Sequence, residues 1–217
     1  MRLNKYLSDI GYCSRREADR LIEAGKVYVD GVPAVLGMQV EEGHEVRVGK
    51  KVLTKTARPV LLALHKPRGI ECTANKTVKN NVVDFIHYPS RVYPVGRLDK
   101  ESEGLLLLTN QGDLVNKIMR SGNRHEKEYL VTVDKPVTGK FLQEMAAPVY
   151  LKELDVTTRP CFVDQTGKYS FRIILTQGYN RQIRRMCQTF GFQVKKLKRI
   201  RIMNIYPVSY THLRAHE

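Results

Sequence analysis

The chain has 217 residues, with 37 Lys and Arg against 22 Asp and Glu, a net charge of +15. Hydrophobic residues make up 42%, and there are only 15 Gly and 9 Pro, a globular rather than a disordered composition. No run approaches the ~18 apolar residues of a membrane helix, and Met1-Arg2-Leu3-Asn4 lacks a secretory apolar core, so a polyanion-binding protein of the cytoplasm, away from membranes, is expected.

From the N-terminus, Leu3, Leu7 and Ile10 mark one face of a short helix that Gly11 ends. Ser14-Arg15-Arg16-Glu17 is a capping box that opens a second helix, with Ala18, Leu21 and Ile22 facing inward and Gly25 just past its end. Val27 and Val29 alternate into a turn at Asp30-Gly31, followed by Val40 and a strand at Val46-Arg47-Val48. Lys5, Arg15, Arg16, Arg20 and Lys26 are left for the outer surface. This module, residues 1–49, resembles the alpha-L RNA-binding motif, first known from a small-subunit ribosomal protein. The resemblance is carried by Arg2-Leu3-Asn4-Lys5-Tyr6-Leu7, Ser14-Arg15-Arg16-Glu17-Ala18-Asp19 and Val29-Asp30-Gly31. It implies that Lys5, Arg15, Arg16 and Arg20 contact RNA. Residues 50–59, polar and basic, read as a linker.

Beyond it the pattern changes. Val60-Leu61-Leu62-Ala63-Leu64-His65 reads as a short buried strand stopped by Lys66-Pro67-Arg68-Gly69, and Val82, Val83, Phe85 and Ile86 as a short helix. Val95-Gly96-Arg97-Leu98-Asp99 is followed at once by the apolar run Gly104 to Leu108. A carboxylate between two apolar runs needs a cationic or hydrogen-bonded partner to stay ionised. Lys127 to Val133 alternates as a strand, with Tyr129, Val131 and Val133 on one face; core packing is the usual reading of such a tyrosine.

Ile183, Met186, Cys187 and Phe190 follow the i, i+3, i+4, i+7 spacing of a buried helical stripe, with Asn180 as N-cap and Gly191 as terminator. Arg181, Arg184 and Arg185 then gather in the first turns, where the helix dipole also favours an anion. Residues 165–216 contain 11 basic residues and no acidic one, which points to a local positive field for phosphates. The cysteines, Cys13, Cys72, Cys161 and Cys187, stand singly, so neither a disulfide framework nor a zinc ribbon is expected.

Taken in order, the three motifs around Asp99, Tyr129 and Arg184 resemble the pseudouridine synthase superfamily. The likeness is to the branch that carries the alpha-L motif in front and modifies ribosomal RNA, most of all the group acting on the large subunit. The resemblance implies an α+β fold: the N-terminal two-helix module, then a catalytic domain, residues 60–207, with a mixed, largely antiparallel sheet flanked by helices. It also implies Asp99 as the catalytic aspartate and Tyr129 as the tyrosine that packs on the target base and takes part in its deprotonation. Arg184 would pair with the aspartate. Arg97, Ile183, Arg181 and Arg185 would bind substrate, Ile183 as an apolar wall. The isomerisation needs neither a metal nor another cofactor. The implied partner is large-subunit ribosomal RNA, with tRNA left open as a second substrate, and the chain is expected to act as a monomer. A binding-only ribosome-assembly protein would use the same basic module, but Asp99, Tyr129 and Arg184 together weigh against it. An RNA methyltransferase would need a Gly-rich cofactor turn that is absent from the sequence. After Pro207 the sequence departs from the family. Residues 208–217 read as a non-native tail behind a truncated domain, and the His212/His216 spacing is not taken as a metal pair.

Overall fold

The computed structural model describes residues 1–54, 58–75 and 77–207; the tail at 208–217 lies outside them. Helices α1 (Leu3–Asp9) and α2 (Arg15–Glu23) pack on an antiparallel sheet ordered β2-β1-β3-β4. Its strands are β1 (Val27–Val29), β2 (Val32–Pro33), β3 (Val46–Val48) and β4 (Lys51–Leu53). Leu3, Leu7, Ala18, Ile22, Val27, Val29 and Val46 form their common core. Half of the capping box forms: Ser14 Oγ accepts from the Glu17 amide at 3.1 Å, while the Glu17 carboxylate turns to Arg20 at 3.3 Å. Asp30 and Gly31 both take left-handed backbone angles, the requirement of a two-residue hairpin turn between Val29 and Val32. The expected linker begins later than residue 50, because Lys51–Leu53 pairs with β3 and buries Leu53 in the core.

The second unit is built on a seven-stranded sheet. Along it run β11 (Phe162–Gly167), β12 (Ser170–Leu175), β8 (Lys127–Val133), β13 (Val194–Ile202), β7 (Glu103–Thr109) and β5 (Leu61–Lys66), and β6 (Tyr93–Val95) also pairs with β7. All these pairings are antiparallel except β13 with β7. The strands β9 (Tyr150–Leu151) and β10 (Val156–Thr157) form a separate hairpin. Helices α3 (Val82–Ile86), α4 (Gly112–Met119), α5 (Gly139–Ala146) and α6 (Gln182–Thr189) flank the sheet. The described residues include no helix long and apolar enough to cross a membrane.

β7 explains its own sequence. One of its edges pairs with β5 and the other is shared by β6 and β13. Leu106 and Leu108 enter one apolar cluster with α3, and Leu105 and Leu107 another with α4. Both faces are covered, hence the unbroken apolar run. β5, expected to be buried, is instead an edge strand that alternates. Leu62 and Leu64 pack inward and Leu61, Ala63 and His65 are exposed. The largest core gathers Val131 and Val133 of β8, Phe141 and Met145 of α5, and the predicted stripe of α6. Burial pushes the Cys161 thiol up to about 11 and that of Cys187 to about 12, so both behave as apolar packing groups.

The two units touch. Lys5 Nζ lies 2.8 Å from Asp113 Oδ2 at the start of α4 and 3.7 Å from Asp9. Lys5 therefore ties the N-terminal module to the second unit rather than standing free for RNA. Arg15, Arg16 and Arg20 remain exposed on α2.

Candidate active site

The loop from β6 to β7 carries Asp99 and is held from both sides. Leu98 is buried in the α3-side core, and its amide donates to Cys72 Sγ at 3.3 Å. The Gly69 amide donates to the Lys100 carbonyl at 2.8 Å, and the amide of buried Ser102 donates to the Asp99 carbonyl at 3.0 Å. Asp99 is left half-buried at the mouth of a cavity of about 410 Å³.

Arg184, from the first turn of α6, reaches across to it. Its Nε is 3.5 Å from Asp99 Oδ2, while its Nη2 donates to Ser102 Oγ and its Nη1 to the Val194 carbonyl, each at 3.3 Å. One guanidinium thus links the carboxylate, the turn that presents it and β13. Arg181 Nη1 lies 3.9 Å from Asp99 and 3.5 Å from Glu101. Glu101 is held below its ordinary range, first by its own backbone amide and then by Arg181 and Arg184.

Tyr129 on β8 packs against two core clusters and also lines the cavity. Ile183 supplies a buried apolar wall, and Arg97, largely exposed, lines the rim. Arg185 is not brought to the cavity. It turns to Glu153 and donates to the Asn180 carbonyl at 3.0 Å. This goes with a shift in the helix start: Arg181, in a left-handed conformation, is the N-cap in place of Asn180, so α6 begins at Gln182.

Three buried cations escaped the sequence reading. Lys66 donates to the Pro67 and Ile70 carbonyls at 2.9 and 2.8 Å, and burial lowers its pKa. Lys127 lines the cavity, its pKa lowered by burial and then by Arg199. Arg199 donates through Nε to the Leu105 carbonyl at 2.7 Å and through Nη1 to that of Arg97 at 3.5 Å, bracing the Asp99 loop from beneath. Nothing in the alternating Lys/Arg pattern of β13 distinguishes Arg199 from its neighbours; only its position opposite Gly104 does.

The basic stretch 165–216 is also less free in space than along the chain. Arg172 meets Asp164 at 2.9 Å and Glu128 at 3.5 Å. Arg201 meets Glu128 at 2.6 Å and Glu126 at 2.8 Å. The exposed cations that remain there include Lys168, Lys195 and Lys196.

A half-buried carboxylate against a guanidinium, beside a tyrosine and an apolar wall, suits covalent chemistry on a flat base excluded from water. Comparison with known proteins identifies the family. Residues 60–189 match the RNA pseudouridylate synthase family and residues 1–46 the S4 domain. The chain is 54% identical over 207 residues to the dual-specificity RNA pseudouridine synthase RluF of Escherichia coli (strain K12), covering 94% of this chain and 71% of that protein. It is 36% identical to ribosomal large subunit pseudouridine synthase B of Bacillus subtilis (strain 168), covering 91% and 84%. A solved structure described as a pseudouridylate synthase superposes with a TM-score of 0.69 at 26% identity, covering 95% of this chain and 90% of that one. The chain belongs to the RNA pseudouridylate synthase family, isomerases acting on RNA, and carries an S4 domain at its N-terminus.

Proposed function

We propose that this chain converts a specific uridine of large-subunit ribosomal RNA to pseudouridine, with Asp99 as nucleophile and the target base flipped out of its stack. The observation that carries the reading is that Asp99 and Tyr129 line one cavity while the Arg184 guanidinium lies 3.5 Å from the Asp99 carboxylate. The named activity of the Bacillus subtilis relative supports the substrate class. In the reaction the bond from the ribose to N1 breaks and one to carbon 5 forms. The proton lost from carbon 5 is balanced by one gained at N1, so no net oxidation occurs. Arg184, its Nε 3.5 Å from Asp99 Oδ2, holds the carboxylate in place. Tyr129 stacks on the flipped base, and its hydroxyl takes part in removing the carbon 5 proton. The test is release of tritium from carbon 5 of uridine in unmodified large-subunit RNA fragments, followed by mapping of the product. A folded, RNA-bound protein that releases no label from any fragment would overturn the reading.

Tyr129→Phe keeps the stacking ring and loses the hydroxyl. Turnover is expected to fall about a hundredfold, while RNA affinity and melting temperature stay near those of the parent. Normal turnover with a lowered melting temperature would leave Tyr129 as a packing residue alone.

Arg16 and Arg20 are exposed on α2, and phosphate contacts position RNA without reading its bases. Arg16→Ala together with Arg20→Ala is expected to weaken RNA binding and to lower the slope of log K against log salt by about two. Titrations at several salt concentrations measure it; an unchanged slope would remove α2 from the RNA contact.

A further inference from the structure

A second concavity, of about 290 Å³, lies where the N-terminal module meets the catalytic unit. Arg15, the first residue of α2, enters it from one side and Arg91, just before β6, from the other. Neither forms a close ion pair among the described residues, although Arg15 is near enough to Asp113 to favour its carboxylate form. Arg91 lies over the Tyr93 ring, 5.5 Å from its centroid, and donates weakly to Ser8 Oγ at 3.4 Å. The nearby carboxylates, Asp9 and Asp113, take Lys5 as their direct partner, at 3.7 and 2.8 Å. Two guanidinium groups facing one crevice repel each other unless an anion enters, and arginine pairs suit phosphate oxygens.

Position decides which anion. α4 starts at the crevice with Gly112 and ends with Met119 in the wall of the active cavity, about 10 Å away at helical rise. β6 runs the same way, from Tyr93 at the crevice toward Arg97 at the cavity, roughly 13 Å at strand rise. That separation is within a few nucleotides of a strand whose uridine would sit at Asp99. We infer that Arg15 and Arg91 form an interdomain clamp on one backbone phosphate of the substrate RNA. Through it the N-terminal module would grip the same strand that the catalytic unit modifies. The inference rests on the proposed RNA reaction.

The test is a set of anisotropy titrations with a labelled large-subunit RNA fragment containing the target uridine. Arg15→Gln and Arg91→Gln are each expected to weaken binding about tenfold at low salt and to take about one from the salt slope. The double variant is expected to lose much less than the product of the two, because both groups hold the same phosphate. Arg91→Lys is expected to regain part of the affinity, which separates charge from folding. A single neutral methylphosphonate placed a few nucleotides from the uridine is expected to weaken the parent protein but not Arg91→Gln. Penalties that multiply, an unchanged slope in Arg91→Gln, or the lack of any such position would overturn the clamp. Tritium release by the parent reports separately on the reaction. Coupled binding without label release would overturn the reaction and leave the clamp standing.

Discussion

Asp99→Asn and Asp99→Ala are expected to lose pseudouridine formation by a factor on the order of 10⁴ or more, the scale seen when a nucleophile is removed, with RNA affinity nearly unchanged. An amide of the same shape has no charge to attack with, and Arg184 then faces a neutral group. The fold is expected to survive. Arg184 keeps its bonds to Ser102 Oγ and the Val194 carbonyl, and Arg181 keeps Glu101. The stability change is therefore about 1 kcal/mol in either direction, smaller than the loss of a fully buried pair because Asp99 is partly solvated. Removing one negative charge near the RNA backbone also favours binding slightly. Tritium release measured beside a filter-binding titration separates the two effects. Residual turnover within about tenfold of the parent in both variants would exclude Asp99 as the nucleophile.

Gly104→Ala is expected to destabilise the catalytic unit by roughly 4 kcal/mol, the range of overpacking combined with backbone strain. Gly104 has φ +106, where L side chains rarely go. An added Cβ would collide with the Arg199 carbonyl oxygen and lie 2.8 Å from the Arg199 amide nitrogen. These are backbone atoms of β13 at its one parallel pairing, so they cannot move aside alone. Shifting β13 would also disturb the Arg199 bonds to the Leu105 and Arg97 carbonyls, so turnover is expected to fall along with stability. Gly139→Ala, at the first residue of α5 with nothing within 4 Å of the added carbon, is the control and is expected to be neutral or slightly stabilising. Denaturant midpoints compare the two; equal midpoints would show that β13 and β7 have room to separate.

What could be read from the chain alone is what depends on neighbours in sequence. The stripe Ile183, Met186, Cys187 and Phe190 announces α6 because side chains three and four residues apart share a helical face. Ser14 and the Asp30-Gly31 turn announce their structures because capping and left-handed turns are settled within four residues. The run Leu105 to Leu108 is visible as apolar, though its covering on both faces appears only in the fold, and the family resemblance adds Asp99, Tyr129 and Arg184 as the residues to watch.

Tertiary structure decided which charges meet. Arg184 and Ser102, 82 residues apart, touch because α6 and the Asp99 loop come together at one end of the sheet. Arg181 and Arg185 look equivalent along the helix, yet one lines the cavity and the other turns to Glu153. Lys5 is spent on Asp113 in the other unit. The carboxylate-free stretch 165–216 finds Glu126, Glu128 and Asp164 beside it once β12 and β13 flank β8. Even β5, as apolar in sequence as a central strand, is an edge because nothing pairs beyond it among the described residues. Helical period and turn chirality are local properties of a few torsion angles, whereas ion pairing and strand order depend on distances that exist only after the sheet has closed.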